Sequence, residues 1–203
     1  MTTSNGSSGV AGGRVGEVVR ASTTEFETEC YELYQSPPLG ALVVCGEETP
    51  IFGVVADSLT ESMDPTRPPA PRGAGMASER EVYADNPQLS RLLSTRFTSL
   101  AVGHMSGSGI RWRLAPNPAR ILSFVRICDD DETRDFSAEV GFLPRLLDAR
   151  VGSPDEFVAA YLRRCAAVHT DPESFVIRAG KEMAGMLPGQ LRRVTAILRT
   201  ATS

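Results

Sequence analysis

Residues 14–59 read RVGEVVRASTTEFETECYELYQSPPLGALVVCGEETPIFGVVADSL, and their punctuation decides the fold class. Val15 to Ala21 and Phe26 to Leu33 are short strand-like runs joined by Ser22-Thr23-Thr24, the pattern of a hairpin. In the second run Glu25, Glu27 and Glu29 alternate with Phe26, Thr28 and Cys30, so one face carries carboxylates and turns towards water. Pro37-Pro38-Leu39-Gly40 breaks the chain before the apolar run Ala41 to Cys45, and Gly46 to Pro50 turns it into Ile51 to Leu59. Four strands thus follow one another with no helix between them, which favours an antiparallel sheet or closed barrel over an α/β fold.

Beyond these strands, residues 63–75 hold Pro65, Pro68, Pro69, Pro71, Gly73 and Gly75, which rules out a regular element. A short helix is expected near 86–94, opened by Asn86-Pro87 and buried through Leu89, Leu92 and Leu93. Strand character returns at Phe97 to His104 and Ile110 to Leu114, around the loop Ser106-Gly107-Ser108-Gly109, and again at Ile121 to Cys128. After a connector over 129–152, helix signals take over. Ser153-Pro154-Asp155-Glu156 offers an N-cap, Pro at N1 and Glu at N3 for a capping box, followed by Phe157, Tyr161, Leu162, Cys165 and Val168 on one helical face. Asp171-Pro172-Glu173 and the break at Leu187-Pro188 mark two more helices. Helices of about 12 to 15 residues are marginal alone, so they must pack on one another or on the sheet.

The composition is that of a folded chain: 41% hydrophobic and 23% charged over 203 residues, with a formal net charge of −4. No apolar run approaches the ~20 residues of a membrane span, and residues 1–13, a Ser/Thr/Gly-rich arm, have neither a basic nor an apolar leader region. A cytoplasmic protein without membrane contact is expected. Cys30, Cys45, Cys128 and Cys165 are widely spaced and form no zinc-like pattern, so they read as reduced and mostly buried. Residues 1–100 carry 7 Arg against 13 acids, whereas 101–203 carry 14 basic residues against 12 acids. An acidic first half is a poor surface for nucleic acid.

The run 14–19 (RVGEVV), Phe26, the run 38–44 (PLGALVV) and the run 51–57 (IFGVVAD) together resemble the HAS-barrel, the small barrel at the N-terminus of HerA-type hexameric DNA translocases and of the ring subunits of the rotary ATP synthase. The resemblance covers residues 13–60 and, more loosely, 95–128; the helical end looks like the tail of bacterial proteins that carry such a barrel without a motor. It implies a collar that docks subunits or partner proteins, with the chemistry in a separate P-loop domain. Gly16 and Gly53 lie inside strand patterns, where a missing side chain marks a bulge or a close backbone approach. The family's motor is missing from this sequence: no G-x-x-x-x-G-K-[ST] occurs, and the only lysine is Lys181.

Other constellations have plainer readings. Asp129-Asp130-Asp131-Glu132 lacks the alternation of a calcium loop and reads as a solvated turn after a strand. The loop 103–109 lacks the lysine and following helix of a phosphate cradle and reads as a β-turn connection. His104 and His169, the only histidines, are without the serine or cysteine setting of a nucleophilic triad. Arg111-Trp112-Arg113 has the composition of a stacking platform or an interface hot spot, and equally that of a strand with Trp inward and both Arg outward. Arg192 and Arg193, with Arg178, Lys181 and Arg199, give the last helices a basic face that is either solvated or turned to an acidic partner. Pro68, Pro69 and Pro71 could offer an extended segment to a partner at low entropic cost.

The resulting expectation is a mainly β plus α protein: an arm over 1–13, a small closed antiparallel β-barrel over 14–128, a connector over 129–152, and a three-helix segment over 153–203. It needs no cofactor or metal, has no catalytic residues, and works as a docking or oligomerisation module for a protein partner, a second copy of the chain being one candidate. The DNA-processing or ATPase assemblies of the resembling family are the partner setting. A nucleic-acid-binding barrel using Arg111, Trp112 and Arg113 is the first alternative, and an enzyme whose site assembles only in three dimensions is the second.

Overall fold

In a computed structural model of the chain, residues 13–107 and 109–203 are described; the expected arm lies outside them except for Gly13. Strand β1 is Arg14–Ala21, β2 Glu25–Cys30, β3 Leu42–Cys45 and β4 Ile51–Ser62. Helices α1 (Glu79–Asp85) and α2 (Leu89–Leu92) lead into β5 (Leu93–Ser106), β6 (Gly109–Arg111) and β7 (Phe124–Ile127). The helices α3 (Asp130–Phe136), α4 (Leu143–Leu147), α5 (Pro154–Val168), α6 (Pro172–Met186) and α7 (Leu191–Thr202) complete the chain.

The β1–β2 hairpin turns where the sequence places it, on Ser22, whose Oγ accepts from the amides of Thr24 at 3.2 Å and Glu25 at 3.1 Å. All pairings are antiparallel, in the order β2-β1-β7-β3-β4-β5-β6 with a further ladder between β2 and β5. The ladders therefore run in a ring through six strands, and β6 hangs from β5 outside it. Both strand glycines sit at register slips, Gly16 against β7 and Gly53 against β5. A Cβ on Gly16 would lie 2.1 Å from the Glu29 carbonyl oxygen, and one on Gly53 would lie 2.7 Å from the Phe26 ring.

Two apolar cores share these strands. The first draws on all six strands of the ring, through Val15, Phe26, Val43, Val55, Phe97 and Val125 among others. The second takes the alternate residues of three strands of the ring, Leu42 and Val44 of β3, Phe52, Val54 and Ala56 of β4 and Val102 of β5, and joins them to Phe142, which caps α4, and to Phe136, Leu146, Tyr161 and Leu162 from the helices. β3 is consequently buried on both sides along its whole length. Each fully buried Leu, Val or Phe side chain contributes about 1.5–3 kcal/mol, so the helices are fixed to the sheet and not only to one another.

Three local expectations are corrected. The helix expected near 86–94 is only the single turn α2, and a separate helix, α1, precedes it: Pro87 disfavours helical backbone at Asn86, which ends α1 with its Nδ2 donating to the Val82 carbonyl at 2.9 Å, and Leu93 is already strand. Asp129–Glu132 is the start of α3: Asp129 accepts from the Glu132 amide at 2.8 Å, and the Glu132 carboxylate accepts from the Asp129 amide at 3.1 Å. The 129–152 stretch thus holds α3 and α4. At Ser153, where a capping box was expected, the side chain makes no capping bond, and α5 starts on Pro154. Asp171 does cap α6, accepting from the Ser174 amide at 3.0 Å.

The carboxylates of β2 do not face water alone. Arg96, opposite Glu29 in the β2–β5 ladder, reaches Glu29 at 2.9 Å and Glu27 at 3.5 Å, and Arg20 lies 3.8 Å from Glu27. All four cysteines are free thiols; Cys45, Cys128 and Cys165 are buried and Cys30 half-buried. No helix among the described residues is long and apolar enough to cross a membrane.

Candidate docking surface

At one end of the ring the β3–β4 turn, the end of β5 and the segment leading into β7 enclose a cleft of about 900 Å³, lined among others by Glu47, Glu48, His104 and Arg120. Its rim carries Ile121, Leu122 and Phe124 at 55%, 64% and 37% exposure. The expected strand Ile121 to Cys128 begins only at Phe124, and its first two apolar residues, Ile121 and Leu122, precede the strand and are turned out to solvent. Main-chain bonds hold them there: Leu122 N donates to the Val18 carbonyl at 2.8 Å, and Val18 N donates to the Ser123 carbonyl at 3.0 Å. Leu122 sits at φ 65°, a left-handed conformation that a leucine adopts only when its surroundings impose it.

The charges around this apolar group are matched. The Arg14 guanidinium lies 3.7 Å from the centroid of the Phe124 ring and 3.9 Å from Glu47, and Arg120 pairs with Glu48 at 3.3 Å. Exposed hydrophobic residues framed by polar ones are the anatomy of a protein interface. His104 lines the cleft but is itself buried, with Nδ1 3.0 Å from the Arg113 carbonyl oxygen.

The residues singled out in the sequence lie elsewhere and apart. Arg111 and Arg113 are exposed, while Trp112 is half-buried: its indole N–H donates to the Phe136 carbonyl at 2.8 Å and its ring is tilted against Phe136 at 6.2 Å. Arg145 donates to the Trp112 carbonyl at 2.8 Å and to that of Val102 at 3.1 Å, tying α4 to the strands. Trp112 thus links the end of β6 to the helices. Pro68, Pro69 and Pro71 are exposed in the β4–α1 connection. On α7, Arg193 is engaged with Asp155 of α5 at 2.7 Å, whereas Arg192 is exposed.

One arrangement has no signal in the sequence. Ser137, at the end of α3, and His169, at the end of α5, meet at 2.8 Å between Oγ and Nε2. The imidazole stacks on Phe175 at 4.5 Å between centroids, and burial, then the charges of Arg178 and Arg134, lower its pKa. Ser137 is entirely buried and its hydroxyl also donates to the Arg134 carbonyl at 3.2 Å. Its geometry is that of a helix-to-helix fastening; a hydroxyl with no exposed surface offers a substrate no approach. Among the described residues no three His, Cys, Asp or Glu side chains gather as a metal site would require.

No protein-family model matches the chain, and no curated protein matches it. The resemblance to the HAS-barrel accordingly rests on the residues quoted for it.

Proposed function

We propose that this chain is a non-enzymatic docking module that binds a protein partner through the cleft end of its strand ring. The observation that carries the reading is the exposed group Ile121, Leu122 and Phe124, fixed by main-chain bonds and framed by Arg14, Arg120, Glu47 and Glu48. In this reading the ring is a small closed barrel of the HAS type, kept apart from any motor, and the partner belongs to a DNA-processing or ATPase assembly in the cytoplasm. The ladders that return to β2 and the core to which all six ring strands contribute support the barrel; the free thiols agree with a reducing compartment. The partly covered Trp112 favours a protein over a nucleic acid as the partner.

The test is affinity capture from native cells with the wild-type chain and with Ile121→Asp/Leu122→Asp as baits. A stoichiometric protein retained by the first and lost by the second, at an unchanged urea midpoint, is the expected result. A wild-type chain that is strictly monomeric in light scattering and recovers no stoichiometric partner overturns the reading.

A further inference from the structure

Among the described residues the far end of β4 has an open edge. β3 covers β4 along Ile51–Val54, and Gly40 and Ala41 bond with Val55, but among the described residues no other strand pairs with β4 along Asp57–Ser62 on that side. The phase of the ladder fixes which groups point out. Met63 N donates to the Leu92 carbonyl at 2.8 Å, continuing the β4–β5 register, so by alternation residues 57, 59 and 61 bond with β5 while the main-chain groups of Ser58, Thr60 and Ser62 turn away from it. Among the described residues no hydrogen bond reaches those outward main-chain groups. Six consecutive residues of extended backbone thus present an unfilled template.

The side chains state what fits it. Asp57, Leu59 and Glu61 share the face that carries Arg96 and Thr98. Leu59 is 53% exposed, and neither Asp57 nor Glu61 has a cationic partner within 4.0 Å among the described residues, since Arg96 is held by Glu27 and Glu29. A second copy pairing edge to edge would bring two more carboxylates onto this acidic face. A strand of opposite charge meets no such repulsion.

We propose that the Asp57–Ser62 edge of β4 accepts an extended segment of a protein partner with basic, apolar and basic side chains at alternate positions, the apolar one over Leu59 and the basic ones against Asp57 and Glu61. The main chain of that segment bonds to Ser58, Thr60 and Ser62, and the alternation gives selectivity. The inference rests on the docking reading but uses a surface separate from the Leu122 rim.

The probe is the acetylated, amidated heptapeptide Thr-Lys-Thr-Val-Thr-Lys-Thr, titrated into the labelled full chain and followed by amide chemical shifts. Shifts centred on residues 57–62 are expected. Binding should weaken at least ~10-fold when the peptide amides flanking Val are N-methylated, or when Asp57→Lys/Glu61→Lys is used, and the charge-reversed protein should prefer the same peptide with Glu in place of Lys. Binding by Ile121→Asp/Leu122→Asp should equal that of the wild type, so a failed capture experiment and a failed edge are told apart. Shifts elsewhere, indifference to N-methylation, or a dimer that forms through this edge without peptide would each overturn the proposal.

Discussion

Ser137 Oγ and His169 Nε2 lie 2.8 Å apart although the residues are 32 positions apart in sequence, and their contact closes α3 onto the junction of α5 and α6. With its own hydrogen donated to the Arg134 carbonyl, the Ser137 hydroxyl is left to accept the Nε2–H of His169, a bond that either protonation state of the ring can make. Burial, then the charges of Arg178 and Arg134, hold the His169 pKa below its ordinary value. An unfolded histidine binds its proton more readily, so the stability contributed by the neutral ring is complete above about pH 6.5 and is lost as pH falls through the folded value. The wild-type urea midpoint should therefore drop more between about pH 7.5 and about pH 5.5 than that of His169→Gln. Equal drops would assign the contact no role in the acid response.

Arg126 grips both oxygens of Glu132 at 2.6 Å, and the same carboxylate caps α3. Its pKa is lowered, chiefly by the Arg126 hydrogen bonds. Glu132→Gln should cost about 1–2 kcal/mol near neutral pH in denaturant unfolding. The difference from wild type should begin to shrink below the ordinary carboxylate value of about 4.3 and close as pH falls through the lower folded value.

Gly53 lets the Phe26 ring cross it inside the ring of strands, with Ser99 Cβ 2.9 Å from where its own Cβ would stand. Gly53→Ala should destabilise by about 1–3 kcal/mol through overpacking. Gly141→Ala, where nothing lies within 4 Å of the added carbon, is the control and should stay within about 0.5 kcal/mol in the same thermal or urea melts.

The thiols should separate by burial. Burial pushes Cys45 and Cys165 up to about 12 and Cys30 to about 11. Cys30 is the least covered and should react first, and slowly, with a thiol reagent at mildly alkaline pH. The remaining thiols should react only in denaturant, as mass spectrometry of the labelled peptides will show.

Trp112 is the single tryptophan, and its emission reports on the sheet-to-helix contact through Phe136. A single-stranded oligonucleotide should leave that emission unchanged at low salt, whereas Trp112→Phe should cost about 1 kcal/mol by removing the bond to the Phe136 carbonyl. Quenching by the oligonucleotide would revive the stacking alternative.

The first four strands were legible because their causes are local: period-two patterning, Ser22 at one turn, Gly46 to Pro50 at another, and glycines where backbones crowd. Ile121 and Leu122 were misread because an apolar run states only that burial is favourable, not whether anything covers it; their exposure follows from bonds to Val18, a hundred residues earlier. The open edge at Asp57–Ser62 was equally hidden, since it depends on where β3 stops. Asp129 and Ser153 carry similar start signals, yet only Asp129 closes its box, with Arg126 holding the N3 carboxylate in place. The charge density at 129–132 suits water and the first turn of a helix equally, because carboxylates there also meet the free amides of α3.

Leu42–Cys45, buried on both faces, gives the ring and the helices a common wall. A gene break after residue 128 would yield a ring with an oily outer flank and helices left with only one another to pack on. The two halves are therefore inherited as one unit: exposed residues at the cleft rim or the β4 edge are free to change, whereas the helical half is not an accessory that can be traded away.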